Sequence, residues 1–256
     1  MLIFKNMELL ITTLVFLVGF NLLMFLPAFF FKTDKLTDLS YAISFIVVSL
    51  FLFFKSSMTS VHTVLLIMIL LWAFRLGTYL FIRINKTGKD SRFDGMRESF
   101  WKFSRFWLLQ GFSVWVIMLA AISSFSMSDI SFSILHALGI SIFIIGLIIE
   151  TVADYQKFKF KNNPENTGWT NVGLWKRSRH PNYFGEMLVW IGIFIYSAIY
   201  SSTLFIIIEA ISPIYIITIL LFVSGVPMLE KRYNKKYGDN PEYKKYKEET
   251  NLIIIK

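Results

Sequence analysis

Long apolar runs, separated by short polar segments, dominate the pattern of this chain. About 20 predominantly apolar residues cross a bilayer as a helix, and seven runs approach or exceed that length. The second and sixth runs are the shortest, which leaves a tilted or re-entrant course open for them. The first run is too long for a cleaved signal peptide and lacks a clear cleavage site, so we predict a retained helix. The predicted spans are Leu9–Phe31, Leu39–Phe54, Val61–Ile82, Phe106–Phe125, Phe132–Thr151, Tyr183–Tyr200 and Thr203–Pro227.

The composition supports a membrane protein. Hydrophobic residues make up 55% of the chain and charged residues only 17%, whereas a soluble domain carries about 25% charged residues. The mean hydropathy is +0.58. We find no internal repeat and no second domain in the 256 residues. The sequence therefore predicts an all-α, polytopic membrane bundle of about seven transmembrane helices, formed by residues 1–256 as a single integral membrane domain.

The basic residues predict the orientation of this bundle. Twenty-three of the 26 lysines and arginines lie between spans, or after the last span, on one side of the membrane. Only Lys5 and Lys55 lie on the other side, and Arg75 lies inside a span. The positive-inside rule places the basic side in the cytoplasm and the N-terminus outside. The net charge of +9 then mainly reflects the membrane topology. Nucleic-acid binding needs a basic soluble face, and none is evident in the sequence.

Cysteine and histidine give little sign of a metal site. The chain has no cysteine, so it has neither a disulfide framework nor a thiolate site. Its three histidines are His62, His136 and His180, which are too scattered for a zinc cluster. We therefore predict no metal site.

The segment GLWKRSRHPNYFGE, residues 173–186, places a basic cluster directly before an apolar helix. Pro181 suits the first turn of that helix, and a helix N-terminus beside cations favours an anion such as phosphate. Asn182 and Glu186 are four residues apart on one helix face, and an acid one turn into the membrane is usually functional. Anchoring at lipid head groups is the alternative explanation of the cations. The cations are Lys176, Arg177, Arg179 and His180, the last one if protonated.

A polar stripe runs along the preceding helix. At 100° per residue, Glu150, Asp154, Lys157 and Lys161 share one face. Pairing of Asp154 with Lys157 or Lys161 would be a purely structural explanation. Glu150 is deep enough in the membrane to need a partner of its own.

Polar residues also lie inside other spans. Arg75 and Tyr79 are four residues apart in the predicted cytoplasmic half of the third span. A structural salt bridge from Arg75 to Glu150 or Asp38 is open, as is an interface-belt position for Tyr79. Glu209, in the last span, has Tyr196 or Ser212 as its predicted partner.

These residues resemble a known family. GLWKRSRHPNYFGE, the earlier Glu150-x-x-x-Asp154 and the later SGVPMLEKRY are similar to the steroid 5α-reductase-like membrane proteins, in a broad branch of unassigned substrate. The resemblance covers about residues 37–250. RHP-x-Y before a membrane helix is shared with the related isoprenylcysteine carboxyl methyltransferases and other small membrane methyltransferases.

The resemblance implies a reductase that binds NADPH in a cavity facing the cytoplasm and takes a lipid-like enone from the bilayer. It implies that Tyr79 donates to the substrate carbonyl. The Gln-Glu pair that those enzymes carry on an early helix is absent, and Asp38 is the nearest polar residue at that position. Tyr79 and Asp38 are therefore the predicted catalytic residues. From the motifs and the basic cluster together, the predicted cofactor-binding residues are Glu150, Asp154, Lys161, Arg177, Arg179, His180, Asn182, Tyr183, Glu186 and Tyr233.

The residue types fit this chemistry without the resemblance. Carboxylates and an asparagine bind ribose hydroxyls and a carboxamide, cations and a helix N-terminus bind phosphates, and a tyrosine stabilises charge on a carbonyl oxygen. No G-x-G-x-x-G fingerprint appears. Two alternatives stay open: a membrane methyltransferase that uses S-adenosylmethionine, and a non-catalytic protein that binds or transports lipids. The expected partners are membrane lipids and an apolar small molecule.

Overall fold

The structure is a computed structural model that describes residues 2–88, 90–128 and 130–255, with the side chains of residues 2–6, 87 and 91 left out. The side chain of Lys5, used above for topology, therefore lies outside the described residues. Within those ranges the chain is helical, without a strand. The α-helices are α1 (Leu2–Phe30), α2 (Lys35–Lys55), α3 (Ser60–Thr87), α4 (Phe100–Ile117), α5 (Leu119–Ser126), α6 (Ile134–Asn162), α7 (Pro181–Ser197), α8 (Thr203–Thr218), α9 (Val226–Tyr237) and α10 (Pro241–Glu249).

The predicted membrane architecture is confirmed. Six of the described helices are long and apolar enough to cross a membrane, and the number is seven if the bent pair α4 and α5 forms one span. The second and sixth spans are full-length, because α2 has 21 residues and the span from Pro181 to Tyr200 has 20. The chain divides into two compact units, Met1–Ala137 with Ile193–Ser212, and Leu138–Gly192 with Pro213–Lys256.

The first unit is held together by buried amide and hydroxyl groups as well as by apolar packing. Helix α2 packs along α3, and α1 packs along α4. The side-chain nitrogen of Gln110 donates to Asn21 Oδ1 at 2.9 Å and to Ser40 Oγ at 3.0 Å, and Asn21 donates to Ser44 Oγ at 3.1 Å. Such bonds are valuable between membrane helices because lipid offers no alternative partner. They fix α1, α2 and α4 against one another.

The second unit contains most of α6 and of α7, the end of α8, and the two polar helices α9 and α10. A π-helical turn at Ile219–Val223 ends the apolar run, and α9 begins directly after Gly225. The side chain of Asn240 caps α10 by accepting from the N–H groups of Glu242 and Tyr243. Pro241 at the first turn of α10 is suited to that position.

The fourth predicted span, Phe106–Phe125, is not one continuous helix. Helices α4 and α5 meet at 52°, and Met118 between them has a ψ of −2°. Every residue of α5 is buried. No proline or glycine marks the break, so it follows from packing of the buried segment and not from a local breaker.

Candidate functional site

Glycines bring α6 and α7 into backbone contact. A Cβ atom on Gly185 would lie 2.5 Å from the amide nitrogen of Glu150 and 2.7 Å from the carbonyl oxygen of Gly146, so only glycine permits this approach. The same close contact recurs two turns along the helices. Glu150 therefore lies directly against the residue that precedes Glu186. The glycines of this contact, the glycine seam, are Gly139, Gly146, Gly185 and Gly192.

The segment before α7 is docked on α6. Gly173 has a φ of +54°, and a Cβ there would overlap the side chain of Gln156. Gln156 Oε1 accepts a hydrogen bond from the following N–H group, at 2.9 Å. Trp175 is only 2% exposed, and its indole N–H donates to the carbonyl oxygen of Ala153 at 2.9 Å. The loop of residues 173–180 before α7, called the basic loop below, is thus a fixed part of this unit.

The C-terminal residues hold the same loop from its other side. The N–H of Arg179 donates to the carbonyl oxygen of Asn251 at 2.8 Å, and Ser178 Oγ donates to that of Ile253 at 2.6 Å. The Tyr246 hydroxyl donates to the carbonyl oxygen of Trp175 at 2.7 Å. The start of α7 is therefore positioned by both α6 and the C-terminal segment.

Glu230 of α9 gathers the cations of the loop. Its carboxylate accepts from Arg179 Nη1 at 2.6 Å and from His180 Nε2 at 3.0 Å, and Lys247 Nζ lies at 3.5 Å. The His180 ring stacks on Tyr183 with 5.6 Å between the ring centroids. Burial lowers the pKa of His180, and the hydrogen bond to Glu230 only partly opposes this. His180 is therefore a neutral imidazole at pH 7, with its proton on Nε2.

Three buried polar atoms at the start of α7 have no hydrogen-bond partner: Arg179 Nε, His180 Nδ1 and Asn182 Oδ1. The first is a donor, and the other two are acceptors. A buried polar atom without a partner costs about 1–3 kcal/mol. Three such atoms within four residues, beside the positive end of a helix, mark this point as a candidate binding site for a polar molecule.

An aromatic cleft lies next to this point. The ring of Trp169 has its centroid 5.1 Å from that of Tyr243, 5.7 Å from Tyr237 and 5.9 Å from Tyr246. The cleft is narrow, with a cavity volume of only about 10 Å³, and its wall includes Arg179, Glu230 and Tyr233. Burial raises the pKa of Tyr243 to about 12 and also raises that of Tyr246. Both phenols therefore keep their protons at neutral pH.

The other predicted cofactor-binding residues of this unit are spread around the same helices. Glu150 and Asp154 are buried on α6, at 2% and 4% exposed. Lys161 is exposed, and its Nζ donates to the carbonyl oxygen of Gly168 at 3.0 Å and lies 5.8 Å from the ring of Tyr233. Arg177 is exposed on the loop. Arg179, His180, Asn182 and Tyr183 come together at the start of α7, and Tyr233 shares the cleft with Arg179.

Sequence reasoning did not find four residues that build this site: Trp169, Glu230, Tyr243 and Tyr246. Glu230 stands within the quoted motif SGVPMLEKRY, where an acid directly after an apolar run was a usable signal. The glycine spacing was a second signal. Glycines seven residues apart occur on both α6 and α7, as expected for closely packed membrane helices.

Asp38 and Tyr79, the predicted catalytic residues, lie in the first unit and share a neighbour. Arg83 Nη2 lies 2.7 Å from Asp38 Oδ2, and the Arg83 guanidinium carbon lies 6.0 Å from the centre of the Tyr79 ring. Arg92 Nη2 lies 4.0 Å from the other oxygen of Asp38. Arg83 therefore connects the two predicted residues. In the sequence it counted only as one of the basic residues that predict the membrane orientation.

The predicted partners of Glu209 are wrong. Glu209 is fully buried, and its carboxylate accepts from Ser201 Oγ at 2.5 Å. Tyr196 donates instead to the carbonyl oxygen of Val61 at 3.0 Å, and Ser212 donates to that of Ile117. Ser201 was missed because it lies in the turn before α8 and not on a facing helix. Among the described residues, no group of three or more His, Cys, Asp or Glu could hold a metal ion.

Comparison with known proteins identifies the family. The family described as "Protein of unknown function (DUF1295)" matches residues 24–250, most of the chain. The chain therefore belongs to this family, which is the steroid 5α-reductase-like group. No curated protein and no solved structure matches the chain. The resemblance predicted over residues 37–250 is confirmed at the level of the family.

Proposed function

We propose that this DUF1295 protein is a membrane oxidoreductase that uses NADPH to reduce the C=C bond of a lipid-like enone of the steroid or isoprenoid type. The observation that carries the proposal is the start of α7. There, unpartnered Arg179, His180 and Asn182 atoms adjoin a helix N-terminus, and the glycine seam brings α6 with its buried Glu150 against the same helix.

The residues present suit a dinucleotide. Asn182, Glu150 and Glu186 offer the amide and carboxylate groups that bind ribose hydroxyls and a carboxamide. Arg179 and the N-terminus of α7 suit phosphate oxygens. When bound, the cofactor would supply a hydride to the β-carbon of the enone, and a proton would complete the saturated bond at the α-carbon.

Tyr79 is the proposed donor to the enone carbonyl oxygen. Its phenol can hydrogen-bond a developing oxyanion, and the Arg83 guanidinium carbon lies 6.0 Å from the centre of its ring. Asp38 would hold Arg83 in place through their 2.7 Å ion pair. By the positive-inside rule we place the cofactor site on the cytoplasmic side.

One observation favours the alternative, a methyltransferase that uses S-adenosylmethionine. Three tyrosine rings lie within 6 Å of the Trp169 ring, and aromatic faces attract cations such as a sulfonium. Arg179 in the wall of the cleft weighs against this alternative, because its guanidinium would repel a positively charged ligand.

Thermal unfolding of the purified protein in detergent tests the proposal, with NADPH, NADH and S-adenosylmethionine compared at equal concentration. A ligand that binds only the folded state adds about 2.7 kcal/mol at a hundredfold excess over its Kd. We expect NADPH to raise the unfolding temperature and S-adenosylmethionine to leave it unchanged. Stabilisation by S-adenosylmethionine alone would refute the reductase and establish the alternative.

A further inference from the structure

A cavity in the first unit lies where α1 begins and α2 ends, at the opposite end of α2 from Asp38. Its volume is about 200 Å³, whereas pockets for drug-sized ligands have about 300–1,000 Å³. It therefore suits a small molecule or one end of a larger molecule. We call it the α1–α2 cavity, and its wall includes Glu8, Leu9 and Thr12 of α1, Phe51 and Lys55 of α2, and Phe125 of α5.

Contacts between helices fix the wall of the α1–α2 cavity. The rings of Phe16 and Phe51 stack between α1 and α2, with their centroids 5.2 Å apart. Just after α2, the Ser57 hydroxyl donates to the carbonyl oxygen of Ser128, beyond the end of α5, at 3.0 Å. Phe125 is buried, at 1% exposed. The cavity is therefore a defined space between packed helices.

Opposite charges line this cavity at the boundary of the membrane. Glu8 lies in the first turn of the span Met7–Phe30, and Lys55 is the last residue of the span Lys35–Lys55. In the part of the chain that the structure describes, these two side chains form no ion pair with each other. The positive-inside rule does not account for Lys55, because it predicts few cations on this side. The cavity therefore offers both charges to a zwitterionic ligand.

An apolar surface continues from the cavity along α1 into the span. Ile11 and Val15 lie three and seven residues after Glu8, on the same helix face, and both are more than half exposed. Because they belong to a membrane span, these side chains face acyl chains. A ligand that joins a zwitterionic head to apolar tails matches the cavity and this surface together, whereas a soluble zwitterion leaves the surface unused.

We propose that the α1–α2 cavity binds the head group of phosphatidylethanolamine. The Glu8 carboxylate accepts hydrogen bonds from the primary ammonium, and the Lys55 ammonium donates to the phosphate. The quaternary ammonium of phosphatidylcholine has no N–H to donate, and phosphatidylglycerol has no positive charge. Only a primary-amine phospholipid satisfies both side chains. The site lies in the first unit, apart from the start of α7, and it does not rest on the proposed function.

Native mass spectrometry of the protein in detergent tests the proposal, by titration with phosphatidylethanolamine, phosphatidylcholine and phosphatidylglycerol of identical acyl chains. We expect the wild type to bind phosphatidylethanolamine about three- to tenfold more tightly than the other two, a modest factor because Glu8 and Lys55 are exposed. Glu8→Gln should bind phosphatidylethanolamine no more tightly than phosphatidylcholine. Lys55→Gln should also weaken phosphatidylethanolamine binding.

The matched control is Lys35→Gln, which removes the same charge from the other end of α2 and should bind all three lipids like the wild type. Because the three substituted residues are exposed, each variant should unfold at the wild-type temperature when no lipid is added.

Three results would overturn the inference. Equal wild-type affinity for the three lipids would make the cavity an unselective contact with the bilayer. Equal losses in Lys55→Gln and Lys35→Gln would reduce the effect to net charge. Binding of acyl-free glycerophosphoethanolamine as tightly as the lipid would assign the cavity to a soluble zwitterion. In each case the binding of NADPH is a separate measurement, so the proposed function is not decided by these results.

Discussion

Substitution of Gly185 by alanine tests the packing on which the site depends. The new methyl carbon would lie 2.5–2.8 Å from Glu150 N, Gly146 O and Glu150 Cβ, all of them on or next to the backbone, so the helices have to separate. Overpacking of this kind costs about 1–3 kcal/mol, while alanine gains about 0.5–1 kcal/mol over glycine inside a helix. We expect a net destabilisation of about 1–2 kcal/mol.

The assay is thermal unfolding in detergent, with Gly19→Ala as the control. Nothing lies within 4 Å of a Cβ placed on Gly19, so that variant should be unchanged or slightly more stable. For a chain of this size, each kcal/mol shifts the unfolding temperature by about 2–4 °C. Gly185→Ala should therefore unfold several degrees lower, and it should bind NADPH more weakly because α6 and its Glu150 move away from α7.

A double variant sharpens the test. Gly146 and Gly185 face one another, so alanine at both positions requires one separation of the helices and not two. The combined loss of stability should be smaller than the sum of the single losses. An unfolding temperature of Gly185→Ala equal to that of Gly19→Ala would refute the close contact between α6 and α7, and with it the proposed placement of Glu150.

Three further predictions concern single residues. Glu186→Gln should weaken NADPH binding by about 1.5–3 kcal/mol in binding measurements while the unfolding temperature without ligand stays the same; unchanged affinity would assign Glu186 a structural role. Tyr79→Phe should keep NADPH affinity and should lower the turnover of any enone substrate by about a hundred- to a thousandfold. Normal turnover would make Tyr79 an interface anchor. Burial lowers the pKa of His180 in the folded chain below the value of about 6.5 expected for the unfolded chain. Between these two pKa values the unfolded chain binds the proton more readily. Stability should be full above pH 6.5 and fall as the pH drops below it, and His180→Gln should flatten that fall in unfolding measurements from pH 5.5 to 7.5; an unchanged slope would contradict the assignment.

The fold was predictable because lipid imposes a simple rule on sequence. A run such as the one that became α2 has to be helical and buried in the membrane, whatever its partners are. The bend at Met118 was not predictable, because it has no local breaker and depends on the burial of all of α5. Packing between segments that are distant in sequence produces no local sequence signal at the position of the bend.

The site was predictable where chemistry and sequence spacing coincide. Asn182 and Glu186 share a helix face, and Pro181 fixes the start of that helix. Glu230 and Tyr246 were not found, because they reach the loop from 50 and 71 residues away. Only the tertiary structure shows that the Glu230 carboxylate accepts from Arg179 and His180.

The contacts of the basic loop with the C-terminal segment have a consequence for biosynthesis. The Ser178 hydroxyl donates to the carbonyl oxygen of Ile253, 75 residues later in the chain. The N–H of Arg179 donates to the carbonyl oxygen of Asn251. When α7 has left the ribosome, the loop before it still lacks these bonds. The proposed cofactor site is therefore completed only after residue 253 has been synthesised, so nascent chains that stop earlier should insert their helices and yet fail to bind the nucleotide.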